Sequence, residues 1–248
     1  MRRRLIPRVL ASCTPLLVGT AAFGTTALPA GANTPAPARL LSQSVNAATA
    51  AGSLHFVDKT VSGKVQQKLV GSVSASTAGE QVSGSGAPVT VELIDGVVYV
   101  QAGTQVLQQS LALPPAGAQS ANGKWVSVQS TDAAFSLLTQ DLTLGSELNA
   151  YVPTSNLKMG KVHTIAGRKV VTISGTAPST TANGDKTGTK GTAYLVVPLK
   201  APYLPVEGGL AVNSGTTPRN EAAAFTNWGA KVSLTPPPNP IPYSSLLG

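Results

Sequence analysis

The period of the hydrophobic positions changes several times along the chain. Over 39–51, Leu41, Val45 and Ala48 recur four and three residues apart and Gly52 follows, which predicts a helix with its stop. From Ser53 the period falls to two. Leu54 and Phe56 alternate with His55 and Val57; further on Val65, Leu69 and Val73 share one face while Gln66, Lys68, Ser72 and Ser74 take the other, the pattern of a strand wet on one side. Glu80 to Ser85 predicts a weaker strand, and Val89, Val91 and Leu93 again point one way. Asp95-Gly96 then leads into Val97-Val98-Tyr99-Val100, a strong hairpin signal because both turn residues need positive φ. A second hairpin is expected between Lys161–Ile165 and Lys169–Ile173, turning at Ala166-Gly167-Arg168. Thr192–Val197, Leu204–Val206, Leu210–Val212 and Lys231–Leu234 complete the predicted strands.

One stretch breaks the β pattern. Ser130-Thr131-Asp132 offers helix caps, Phe135, Leu138 and Leu142 keep helical spacing, and beyond Gly145 so do Leu148 and Tyr151 before Pro153, so two short amphipathic helices are expected. Phe135 and Leu138 are predicted to face the sheet, with Gly145 as the place where the helix pair bends. Thr176 to Lys190 is Gly/Thr-rich without a large apolar residue and predicts a mobile hairpin loop. Pro236-Pro237-Pro238 and the residues after it predict an extended tail. The sum is an α+β domain over 39–238, with one antiparallel sheet of roughly ten or eleven strands, a helix at its start and a helical insertion in its middle. A large sheet of this kind curls, and with many Val and Leu and few aromatics on its inner face it can enclose an apolar cavity under short helices.

Ahead of this domain, Arg2, Arg3, Arg4 and Arg8 precede an apolar run from Leu16 to Phe23, and Ala30-Gly31-Ala32 supplies small residues for cleavage. Residues 1–32 are therefore expected to be an export signal, 33–38 a Pro/Ala tether and 239–248 a C-terminal tail. Leu10-Ala11-Ser12-Cys13 spells the pattern that precedes a lipid-modified cysteine. Its apolar segment follows Cys13 instead of preceding it, so an anchor through Cys13 is not expected. The formal charge of +8 falls to +4 once the four signal arginines are set aside, and the remaining lysines are scattered, which leaves no nucleic-acid groove.

Composition excludes more chemistry than it suggests. One Cys and two His leave no Cys-rich zinc site and no multi-histidine site. No Gly-x-Ser-x-Gly elbow and no phosphate loop is present, and Gly84-Ser85-Gly86 reads as a flexible strand end. His55 and His163 sit on predicted strands as ordinary cross-strand neighbours. Asp58, Glu80, Glu92, Asp95, Asp132, Asp141, Glu147, Asp185, Glu207 and Glu221 show no metal-loop spacing; Asp95 suits its turn and Asp132 a helix cap. What remains is apolar surface, with no catalytic residue and no cofactor expected.

The order of elements resembles a known family. Ser53-Leu54-His55-Phe56, the hairpin from Val91 to Val100 with Tyr99, and Gly123-Lys124-Trp125-Val126 before paired helices are similar to stretches of the LppX/LprG-type envelope lipoproteins of LolA-like fold. So are Thr192-Ala193-Tyr194-Leu195-Val196, Tyr203-Leu204-Pro205-Val206 and Phe225-Thr226-Asn227-Trp228-Gly229-Ala230-Lys231-Val232 followed by Pro236. The resemblance implies a curled antiparallel half-barrel whose concave side is plugged by helices and holds the acyl chains of a lipid or lipidated ligand. It also implies an exported carrier without catalysis, a monomer working with a membrane transporter or another membrane protein. The lining expected for such a cavity is Leu54, Phe56, Val65, Leu69, Val73, Val89, Val91, Leu93, Phe135, Leu138, Leu142, Val171, Ile173, Leu195 and Val197. An alternative on the same fold is a secreted envelope sensor or interaction module that offers Tyr99, Trp125 or Trp228 to a partner.

Overall fold

The computed structural model describes residues 36–84, 88–140, 142–178, 191–214 and 217–248. The expected export signal, the first half of the tether and most of the Thr176–Lys190 loop lie outside them. Helix α1 (Pro37–Ala51) starts earlier than its periodicity indicated, because Pro37 is pre-set for a first helical position; Gly52 ends it in the left-handed conformation at φ 75°. Five strands follow in a meander: β1 (Ser53–Ser62), β2 (Val65–Ser74), β3 (Ala78–Gly84), β4 (Val89–Ile94) and β5 (Val97–Gln101). Asp95 and Gly96 turn β4 into β5 with φ of 50° and 78°. Helices α2 (Thr104–Leu111) and α3 (Pro115–Ser120), neither of them anticipated, then return the chain to β6 (Trp125–Val128).

The insertion contributes α4 (Phe135–Thr139) and α5 (Leu144–Asn149), after which a second meander runs through β7 (Lys158–Ile165), β8 (Arg168–Thr176), β9 (Thr192–Pro198), β10 (Glu207–Ser214) and β11 (Thr217–Thr226). The β7–β8 turn holds two residues, Ala166 and Gly167, because Arg168 already pairs with Ile165. With a final two-residue strand β12 (Ile241–Pro242) the described residues form one sheet of twelve strands, in the order β12-β6-β5-β4-β3-β2-β1-β11-β10-β9-β8-β7. The two meanders meet along β1 and β11, and β7 forms one edge. That edge carries Lys158 and Lys161 and a register irregularity between Met159 and Val162, features that keep a free edge from pairing further.

Three expectations at the end of the chain are corrected. Leu204–Val206 is not a strand: of its three residues only Val206 makes backbone–backbone bonds, donating to Val196 O and accepting from Phe225 N, both at 3.0 Å, as the lead into β10. Lys231–Leu234 is not a strand either. It belongs to a strap that leaves β11 where Gly229 N donates to Ser53 O at 3.0 Å, and whose Leu234 packs over Gly79 of β3 on the face opposite Ala78 and Glu80. The predicted tail joins the fold: Ile241 pairs parallel with Val126 of β6, and a short 3-10 helix, Tyr243–Leu246, buries Tyr243 and Leu246.

Tyr243 Oη donates to Leu111 O at 3.1 Å, and burial together with nearby Asp132 pushes its phenol above its ordinary value. Replacing Tyr243 by Phe is expected to cost about 1 kcal/mol in urea unfolding near neutral pH. Because the folded phenol holds its proton more tightly than the unfolded one, the advantage of Tyr over Phe is full below about pH 10. It should shrink as the pH rises further, in parallel urea titrations of the two proteins.

Candidate functional site

Residues directly opposite each other in an antiparallel ladder share a face, so the register identifies the inner face strand by strand. Leu54 faces Val73, Val73 faces Ala78 and Ala78 faces Leu93; Asp58 faces Leu69, Leu69 faces Val82 and Val82 faces Val89. Phe56 faces Phe225 across the seam between the meanders. In the second meander Ile173 faces Leu195 and Val171 faces Val197, and Leu195 faces Gly208. The twelve strand residues expected as lining, Val65 and Val91 included, therefore lie on one face of one sheet. All are buried except Leu93, which is partly buried against the same cluster. Of the insertion residues, Leu138 and Leu142 are buried and Phe135 is partly exposed.

The cover over this face follows from connectivity. β6 and β7 lie toward opposite edges of the sheet, so the segment between them must cross it. Helix α4 touches β5 near one side, and Tyr151, just beyond α5, reaches β10 and β11 on the other. There it stacks edge-on to Phe225 at 5.8 Å, above Gly208, where a Cβ would come within 2.8 Å of the Tyr151 Cβ. Helix α1 covers part of the face as well, since it meets both β1 and β9 and buries Leu40, Leu41, Ser44 and Ala48. Two local expectations are corrected. Gly145 lies within α5, not at a bend between helices, and Asp132 does not cap α4: its Oδ2 accepts from Gln129 N at 2.7 Å and closes a turn before the helix. The cap in this region is Thr143, in a reciprocal capping box with Ser146.

The inner face is not uniformly apolar, and this was missed in the sequence. Asp58, Thr60, Glu80 and Glu221 are buried there, with Arg219 and Gln67 beside them. Thr60 faces Glu221 on one side and Gln67 on the other, and Asp58 lies one step along β1 on the same face. Arg219 Nη2 donates to Glu221 Oε1 in an ion pair with little solvent access. The signal for this belt is parity: Asp58 and Thr60 continue the alternation begun by Leu54 and Phe56. A polar residue on the apolar parity of a buried strand marks a place where the core is not made of hydrocarbon alone.

Other chemistry is sparse. His55 Nδ1 is 2.9 Å from Ser72 Oγ, its cross-strand neighbour on the outer face, and exposed His163 lies with Nδ1 3.3 Å from Lys161 O. Trp228 is packed: Nε1 donates to Pro205 O at 2.9 Å and its ring meets Phe225 at 6.0 Å. Tyr99 and Trp125 stay half-buried on the outer face of β5 and β6. On that face too, burial raises the Tyr194 phenol, Glu207 adding to the effect, and burial raises the Glu92 carboxyl. Among the described residues no group of three or more His, Cys, Asp or Glu is arranged to hold a metal ion.

An open, curled antiparallel sheet with helices across its concave side defines a LolA-like half-barrel, the α+β class expected from the sequence. Among solved structures, the chain is similar to the Mycobacterium tuberculosis lipoprotein LppX, at a TM-score of 0.53 and 15% identity, over 80% of this chain and 99% of that one. It is also similar to LprF from Mycobacterium bovis, at a TM-score of 0.52 and 17% identity, over 84% of this chain and 99% of LprF. No family model and no curated protein matches the chain. At these identities the likeness establishes the fold.

The contact between Tyr151 and Gly208 separates two glycine substitutions. Gly208→Ala should cost about 1–3 kcal/mol by forcing Tyr151 off the sheet. Gly145→Ala, where a Cβ meets nothing closer than 3.9 Å, should be neutral or stabilise by up to about 1 kcal/mol through helix propensity. Thermal unfolding of the two variants beside the parent measures both.

Proposed function

We propose that this protein is an exported, non-enzymatic lipid carrier that holds acyl chains against the concave face of its sheet, beneath the insertion that crosses it. The observation that carries this reading is the pairing of a predominantly apolar face with a cover made of short helices instead of a second sheet. A second sheet is held by its own hydrogen-bond ladder, whereas α4 and α5 adhere through side chains such as Leu138 and Leu142. Lifting two leucines away costs about 1.5–3 kcal/mol each, and each methylene that takes their place regains about 0.8 kcal/mol. Some four to eight methylenes of an acyl chain therefore balance the opening, and a longer chain binds with a surplus.

In this reading the fifteen expected residues line the space the ligand enters, and the N-terminal signal carries the chain out of the cytoplasm without an anchor at Cys13. The protein works as a monomer that needs no cofactor and no nucleic acid, and it exchanges lipid with a membrane transporter or another membrane protein. Among the described residues no helix is long and apolar enough to cross a membrane. Of the aromatics that an interaction module would offer to a partner, Trp228 is occupied within the fold.

Leu138→Glu places a carboxylate in the covered face. The variant should keep the circular dichroism of the sheet, because the strands carry their own ladder, and lose uptake of a fluorescent fatty acid by more than about ten-fold. Native mass spectrometry of the parent, purified from its own host, should show bound lipid. Absence of any co-purifying lipid together with no uptake of the fluorescent fatty acid by the parent would overturn the carrier reading.

A further inference from the structure

The polar belt on the inner face has no role in holding plain hydrocarbon. Its charged members are engaged: Arg219 and Glu221 pair with each other, and Asp58 and Glu80 have interactions of their own. Two neutral groups differ. Thr60 is 3% exposed and its Oγ1 has no hydrogen-bond partner among the described residues; Gln67 stands directly opposite it on β2, and its Oε1 is shielded from solvent and equally without a partner. Buried hydroxyl and amide groups are rarely left in this state, because each gives up its bonds to water and receives nothing in return. Helix α1 adds a third such group on its buried side, Ser44 Oγ.

We propose that Thr60 and Gln67 form a hydrogen-bonding station for a hydroxyl group carried within the apolar part of the lipid, so that the protein selects hydroxylated over plain acyl chains. This deepens the carrier reading and rests on it. The chemistry is complementary: a ligand hydroxyl donates its proton to Gln67 Oε1 and accepts one from the Thr60 hydroxyl, and both orphaned groups are satisfied at once. A methylene in the same place satisfies neither. The station is a sharp one because beyond the polar belt the face is apolar, and there a hydroxyl loses its water without gaining a partner.

The test is competition. The full chain, loaded with a fluorescent fatty acid, is titrated with stearic acid and with a series of hydroxystearic acids that differ only in the position of the hydroxyl. One positional isomer, the one whose hydroxyl reaches the belt, should compete about ten-fold better than stearic acid, and isomers hydroxylated elsewhere should compete worse. Thr60→Val, close to isosteric and favourable in a strand, should abolish that preference while leaving the affinity for stearic acid unchanged or higher; Thr60→Ser should restore it. Gln67→Leu provides the same readout if the Val variant fails to give the circular dichroism of the parent. Equal or weaker competition by every hydroxylated isomer, or a preference that survives both Thr60→Val and Gln67→Leu, overturns the station while the carrier reading stands. If the parent binds neither the fluorescent probe nor any of these acids, the carrier reading falls and the station with it.

Discussion

A sheet that is apolar on one face only has to have that face covered, and here the covering is done by a chain that must also travel from one edge of the sheet to the other. That constraint organises the molecule. Twelve strands in one sheet are too many to lie flat, since the twist between neighbours accumulates and the sheet closes partly on itself. The curled sheet then presents a trough, and the segment from β6 to β7 has no shorter path than across it. Its landing points are determined by side-chain volume: Tyr151 fits where Gly208 leaves space and where Phe225 offers an edge. On the opposite face the strap from β11 to β12, which pairs beside β6, makes the corresponding crossing, with Leu234 seated over Gly79. The sheet is thus gripped from both faces by segments that make almost no ladder hydrogen bonds.

How much of this could be seen in the sequence depended on contrast between neighbouring positions. β1 and β2 alternate large apolar with polar residues, so their period was visible. β11 has no such contrast where Ala222, Ala223 and Ala224 follow one another: one of them is buried and two are exposed, and the residue type is the same on both faces. Val232 and Leu234 did show alternation, yet they belong to a strap, because one-sided packing on an outer face demands the same period as a strand without demanding a ladder. α2 and α3 were missed for a third reason. Their few buried apolar side chains, Val106, Leu107 and Leu111 in α2 and Ala118 in α3, make too short a stripe to register against the surrounding Gln, Ser and Gly.

The apolar side of the candidate site was legible for the same reason as the strands, since the residues that share a face also share parity. Its polar part was not. Asp58, Glu80 and Glu221 are far apart in sequence and look dispersed until the pairing of β1 with β11 brings Thr60 opposite Glu221 and the pairing with β2 brings it opposite Gln67. Long-range register is a property of the assembled sheet and leaves little trace in local pattern. The trace it did leave is Asp58 itself, on a parity otherwise occupied by Leu54 and Phe56.

The seam between the meanders has a further consequence, for the order in which the molecule is made. Within each meander the ladders join strands that are neighbours in sequence, but β1 and β11 meet across most of the domain: Thr226 Oγ1 donates to His55 O over a separation of 171 positions. Contacts this distant raise the contact order and slow folding, because the entropy of closing the loop comes before the contacts that offset it. A chain that emerges N-terminus first therefore exposes the open side of β1 through the synthesis of nine further strands and four helices before its partner arrives. Asp58 points inward from that strand and Lys59 outward, and charges placed in this way discourage an open strand from pairing with a neighbouring molecule. The residue that interrupts the apolar face of the finished sheet also guards the half-made one.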